Sequence, residues 1–162
     1  MSDLKSKISS LANAYYKDAI MIRRHLHKYP ELSFQEHQTS NYIQHKLTEY
    51  GIPFQAGVVD TGVVALINGV DPQSKCIALR ADIDALPIHE QTNASYASKN
   101  KGVMHACGHD FHTASLLGVA RILNVLKNEW RGSVKLIFQP GEEKLPGGAS
   151  LMIKEGVLEK PR

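Results

Sequence analysis

Eight consecutive residues, His105-Ala106-Cys107-Gly108-His109-Asp110-Phe111-His112, hold one thiol, three imidazoles and a carboxylate. Thiolate and imidazole are the groups that bind zinc and its neighbours. A Cys-x-His pair can place two donors on one ion or let the sulfur bridge two. Two acidic pairs add to this cluster: Asp82 with Asp84, and Glu142 with Glu143, each directly after a run that reads as a buried strand. Acid, thiol and imidazole clusters at the ends of regular elements imply a metal-dependent site.

The chemistry follows from the residue types. Adjacent glutamates inside a strand point to opposite faces, but just beyond a strand the chain can turn so that both reach one cavity. One can then ligate while the other stays free to take a proton from a water acidified by the cation and deliver it to a leaving amine. Asp84 suits the task of holding a ligating imidazole by its other ring N–H, or of touching the ions directly.

Several elements must bring these groups together. Leu4, Ile8, Leu11, Tyr15, Ala19, Ile22 and Leu26 recur every three or four residues and predict a long first helix, ended by Pro30. A second helix is expected over about 35–50, with Gly51 as its left-handed cap and Pro53 beyond. The runs 63–67, 76–81 and 134–138 are short, apolar and bounded by turn residues, as buried strands are. A third helix begins at Asp110, a suitable cap. Its apolar residues, from Ala114 to Leu126, lie almost all round and predict burial. A short helix over about 148–155 follows the glutamates, and the polar stretch 89–101 reads as a loop leading into the ligand cluster. This alternation predicts an α/β three-layer sandwich around a mixed, mostly parallel sheet, with the site beyond the carboxyl ends of strands.

At 162 residues, the chain is the size of one domain, and 43% hydrophobic with 22% charged residues is a globular composition. A formal net charge of +3 with scattered Lys and Arg makes no basic stripe, so nucleic acid is not an expected partner. No run approaches a membrane span and the amino terminus lacks the pattern of a secretory leader, which leaves the cytoplasm as the expected compartment. The two cysteines, Cys76 and Cys107, are not read as a disulfide framework. Cys76 lies in an apolar strand pattern and is expected to be a buried, inert thiol.

Four blocks in order carry a family resemblance: RRHLHKYPELSFQE (Arg23 to Glu36), ALRADIDALPI (Ala78 to Ile88), HACGHDFHT (His105 to Thr113), and LIFQPGEE (Leu136 to Glu143) with GGA (Gly147 to Ala149). In these the chain resembles the amidohydrolase branch of the aminoacylase and carboxypeptidase metallopeptidase family, which includes hippurate hydrolases, acetyldiaminopimelate deacetylases and plant auxin-conjugate hydrolases. The resemblance implies a zinc-peptidase-like catalytic domain binding two divalent ions, zinc or manganese. Cys107, His109 and Glu143 would be metal ligands, Glu142 the general base and acid, and Asp84 the supporting catalytic aspartate. Substrates would be N-acyl amino acids or similar small amides. The family's chains are longer, so residues 1–162 match its amino-terminal portion. Two further histidine ligands, the remaining strands and a lid and dimerisation domain have no counterpart here, and the full-length form would be a homodimer. The stretch 144–148 is also less glycine-rich than the family's.

Each of these residues also has a plainer reading. His37, His45 and His89 read as ordinary surface or core histidines. Asp82 reads as a turn former bonding its own backbone. Arg23, Arg24, His25 and His27 read as cations complementing the negative end of the first helix. A competing function is a truncated, non-catalytic metal-binding or interaction module, since later ligands are missing and open sheet edges invite pairing. A thiol hydrolase with Cys107 as nucleophile leaves the glutamate pair without a task. A closed structural zinc site would not need a spare carboxylate.

Overall fold

The computed structural model describes residues 2–159 and 161. The chain runs α1 (Ser2–Lys28), α2 (His37–Glu49), β1 (Phe54–Val58), β2 (Gly62–Asn68), β3 (Cys76–Asp82), α3 (His109–Val125), β4 (Ser133–Gln139) and α4 (Gly148–Lys154). The four strands form one sheet in the order β1-β2-β4-β3. The layers are those expected. Helices α1, α2 and α3 bury Ile22, Leu26, Ile43, Leu47, Leu117 and Ala120 with Val63, Ala65, Leu136 and Phe138. Met152 of α4 packs with Val58 and Ile137 in a separate, smaller cluster. Strand β4 lies inside the sheet with all seven residues buried.

The predominance of parallel pairing does not hold. Only β3 and β4 are parallel, whereas β1 with β2 and β2 with β4 are antiparallel. The reason is connection length. A short turn joins β1 to β2, which permits only a hairpin, while the connection through α3 lets β4 run alongside β3 in the same direction. Strand β1 is not expected from the sequence, because Gln55, Ala56 and Gly57, all exposed, give it no apolar alternation. Strand β3 is an edge and not a buried strand. Ile77 is 48% exposed and Cys76 is half-buried, so its thiol is not sealed in a core.

Helix α2 stops as expected. Gly51 takes a φ of +67°, and Ile52 N–H returns to Leu47 O at 2.9 Å. Helix α3 departs from expectation twice. It is buried toward the sheet, α1 and α2, and leaves Phe111, Val119 and Val125 exposed. Its N-cap is Gly108, and Asp110 sits inside the first turn. No helix among the described residues is long and apolar enough to cross a membrane.

Candidate metal centre

The parallel pairing of β3 with β4 brings the separated clusters together. Asp82 stands opposite Gln139, and Ile83 N–H donates to Gln139 O at 3.0 Å, so the chain leaves both strands side by side. Asp84 and the turn 140–143 are therefore neighbours. Helix α3 starts at the same edge, tied there by the Thr113 hydroxyl, which donates to Asp82 O at 2.9 Å. Between Cys107, just before that helix, and His109, its first residue, Gly108 adopts a φ of +88°, a left-handed bend that glycine enters without steric cost. The bend turns Cys107 and His109 toward one point.

There the Cys107 sulfur, a ring nitrogen of His109 and a carboxylate oxygen of Glu143 lie within 4.8 Å of one another. Bonds of about 2.0–2.3 Å to a shared ion span nearly that separation. One soft sulfur, one imidazole and one carboxylate suit a divalent ion of the zinc type, and the sulfur can bridge to a second. Asp82, His109 and His112 form another group within the same spacing. Asp82 is also held by Arg80, whose Nε and Nη2 each stand 2.8 Å from Oδ1, and so does more than close a turn. His37, His45 and His89 are exposed and belong to neither group.

Asp84 organises the centre from beneath. Its side chain is wholly buried, and Oδ2 accepts from the Ser33 hydroxyl at 2.7 Å and from Glu143 N–H at 2.9 Å. His109 Nδ1 lies 3.2 Å from Oδ1 and 3.0 Å from the Asp84 main-chain oxygen. Burial alone would raise the Asp84 pKa, but the bonds from His109, Glu143 and Ser33 overcome it and hold the carboxyl at about 2. Burial likewise disfavours a charged His109, and the bonds to Asp84 and Cys107 reverse that, raising it to about 11 in the metal-free chain. With Nδ1 turned to Asp84, Nε2 is the nitrogen that would meet an ion, giving up its proton to do so. Glu142 stands 3.8 Å from that Nε2 with its side chain 41% exposed, beside the donor cluster and open to solvent.

The cations at the end of α1 do not simply cap a dipole. Arg23 Nε reaches Asp110 at 2.7 Å, and His27 Nδ1 reaches the same carboxylate oxygen at 2.8 Å. His27 Nε2 lies 3.1 Å from Glu90, whose carboxylate also receives Ser98 N–H at 2.6 Å. His25 points elsewhere and stacks on Tyr42 with ring centroids 4.0 Å apart. The first turn of α3, which carries His109, is thus anchored to α1. His105 lies inside this region at 4% exposure, and its two ring nitrogens have no hydrogen-bond partner among the described residues; burial pushes its pKa down to about 4. Sequence reasoning missed Ser33 and the Glu90 link. The only signal for Ser33 was its place in the block Arg23 to Glu36, which carried resemblance without an assigned task.

Comparison with protein families matches residues 78–162, more than half of the chain, to Peptidase family M20/M25/M40. The N-acetyl-L-cysteine deacetylase of Bacillus subtilis is 52% identical over 88% of this chain and 34% of its own length. The N-acyl-L-amino acid amidohydrolase of Geobacillus stearothermophilus is 45% identical over 96% of this chain and 42% of that protein. Among solved structures, the Bacillus subtilis YXEP protein, described as a dinuclear metal-binding peptidase from the M20 family, aligns with a TM-score of 0.85 at 50% identity. That alignment covers 91% of this chain and 41% of the other. The chain spans less than half the length of these relatives. The family match takes in the donors that the fold gathers at the ends of β3 and β4, and the chain belongs to Peptidase family M20/M25/M40.

Proposed function

We propose that residues 1–162 form the amino-terminal part of a catalytic domain that hydrolyses the amide bond of N-acyl amino acids or similar small amides. Two divalent ions, zinc or manganese, are its cofactors. The observation that carries this reading is the convergence of Cys107, His109 and Glu143 with Glu142 left over beside them. The names of the relatives that deacylate N-acyl amino acids and of the dinuclear peptidase support the substrate class and the ion count. When bound, such ions polarise the acyl carbonyl and acidify water.

The chain's own groups do the rest. Cys107 Sγ, His109 Nε2 and the Glu143 carboxylate would hold the ions. Asp84 keeps the His109 proton on Nδ1 and thereby aims Nε2 outward. Glu142, solvent-facing beside His109, accepts a proton from the water that attacks the amide and passes it to the departing nitrogen. The complete protein works in the cytoplasm as a homodimer, with neither nucleic acid nor membrane as a partner.

The test is Glu142→Gln in this chain joined to the carboxyl-terminal region that its relatives carry. Turnover of N-acetyl amino acids should fall by about 10²–10⁴-fold, the usual worth of general acid–base catalysis, with metal content unchanged. Wild-type turnover in that variant would overturn the reading.

A further inference from the structure

We propose that Glu36 is a positioning residue for the turn that carries Glu142 and Glu143. This rests on the reading above, in which those two glutamates serve the site. The Glu36 side chain is fully buried (0% exposed) and accepts three hydrogen bonds from neutral donors. Oε1 takes Gly141 N–H at 2.8 Å and Phe34 N–H at 2.9 Å, and Oε2 takes the Thr61 hydroxyl at 2.6 Å. A carboxyl group withdrawn from water is costly unless such donors meet it. Its placement there is explained by what it holds, which is the first amide of the glutamate turn.

The hold is steric as well as polar. Gly141 has a φ of +58°, and a Cβ at that position would overlap the Phe34 ring, itself on a residue with a φ of +63°. The far end of the turn is also fixed, since Glu143 N–H donates to Asp84 Oδ2, the oxygen that receives Ser33. One short strap, residues 33–36, therefore grips both loops of the centre. Ser33 acts through Asp84, and Glu36 acts through Gly141. Between these two anchored amides stands Glu142, whose carboxylate must meet reacting atoms to within a fraction of an ångström to be effective.

The experiment compares Glu36→Ala with Glu36→Gln. Glutamine keeps the geometry, because its carbonyl oxygen can accept both N–H groups while its amide donates to a rotated Thr61 hydroxyl. In the complete enzyme, Glu36→Ala should lower kcat by about 30-fold or more with KM within about threefold. Zinc affinity should fall about tenfold, as when a group supporting a ligand is lost. Glu36→Gln should stay within about threefold of wild type in both. In the 162-residue chain, amide hydrogen exchange at Gly141 should accelerate in Glu36→Ala and not in Glu36→Gln. Wild-type kcat and zinc affinity in Glu36→Ala, or equal damage in Glu36→Gln, would overturn the proposal. If Glu36→Ala does not fold, Thr61→Val removes one donor without changing shape, and an undiminished kcat there counts against it. An inactive wild-type enzyme would sink the proposed function, while zinc affinity and Gly141 exchange would still decide the role of Glu36.

Discussion

Replacing Asp84 by asparagine changes one oxygen to an amide nitrogen at the centre's best-connected side chain. The amide oxygen can keep the two donors now on Oδ2, Ser33 and Glu143 N–H. The NH₂ group must then face His109 Nδ1, which lies 3.2 Å from Oδ1 and also carries a proton. Two donors oppose each other. The imidazole still has the Asp84 main-chain oxygen at 3.0 Å, so the tautomer that presents Nε2 is weakened but not abolished. Losing a partner of a metal-bound imidazole typically costs about 10–100-fold in affinity, and the surviving main-chain bond places the expected loss toward the lower end, ~1.4–2 kcal/mol. The assay is zinc competition against a chelating dye, with circular dichroism to establish that the variant folds. An affinity within twofold of wild type would refute the orienting role. A loss beyond about a thousandfold in a folded variant would mean that Asp84 itself ligates, since orientation alone does not reach that size.

Leu136 is fully buried on the strand that lies between β2 and β3, so Leu136→Ala should cost about 2–5 kcal/mol in urea unfolding. A loss below about 1 kcal/mol would contradict a close-packed centre. Glu90 provides a pH test. Burial opposes its charge, but bonds from Thr92, Ser98 and His27 hold its pKa at about 2, below its ordinary 4.5. A depressed carboxyl pKa contributes stability above the unfolded value and loses it as pH falls through the folded one. The stability advantage of wild type over Glu90→Gln should therefore be full above pH 4.5 and shrink toward pH 2, and an advantage constant across that window would refute the assignment.

The candidate donors stand out in the sequence because thiol, imidazole and carboxylate groups cluster at short spacing, and because β3 and β4 are bounded by clear turn residues. Where they meet was legible too, as a consequence of placing acids at the carboxyl ends of strands. What stayed hidden depends on contacts between distant positions. Asp110 has the look of a helix cap, and only the approach of Arg23 and His27 from α1 shows that it is a buried acceptor. Ser33 and Glu36 have no local pattern at all, since their partners are 51 and 105 positions away. The exposure of β3 was equally invisible, because an apolar run reads the same at a sheet's edge as at its centre.

The link between His27 and Asp110 closes a loop of 83 positions. A contact so far apart in the chain carries a closure-entropy cost that a local one does not. The first turn of α3, and His109 with it, is therefore held by contacts that exist only where the amino-terminal helix has docked.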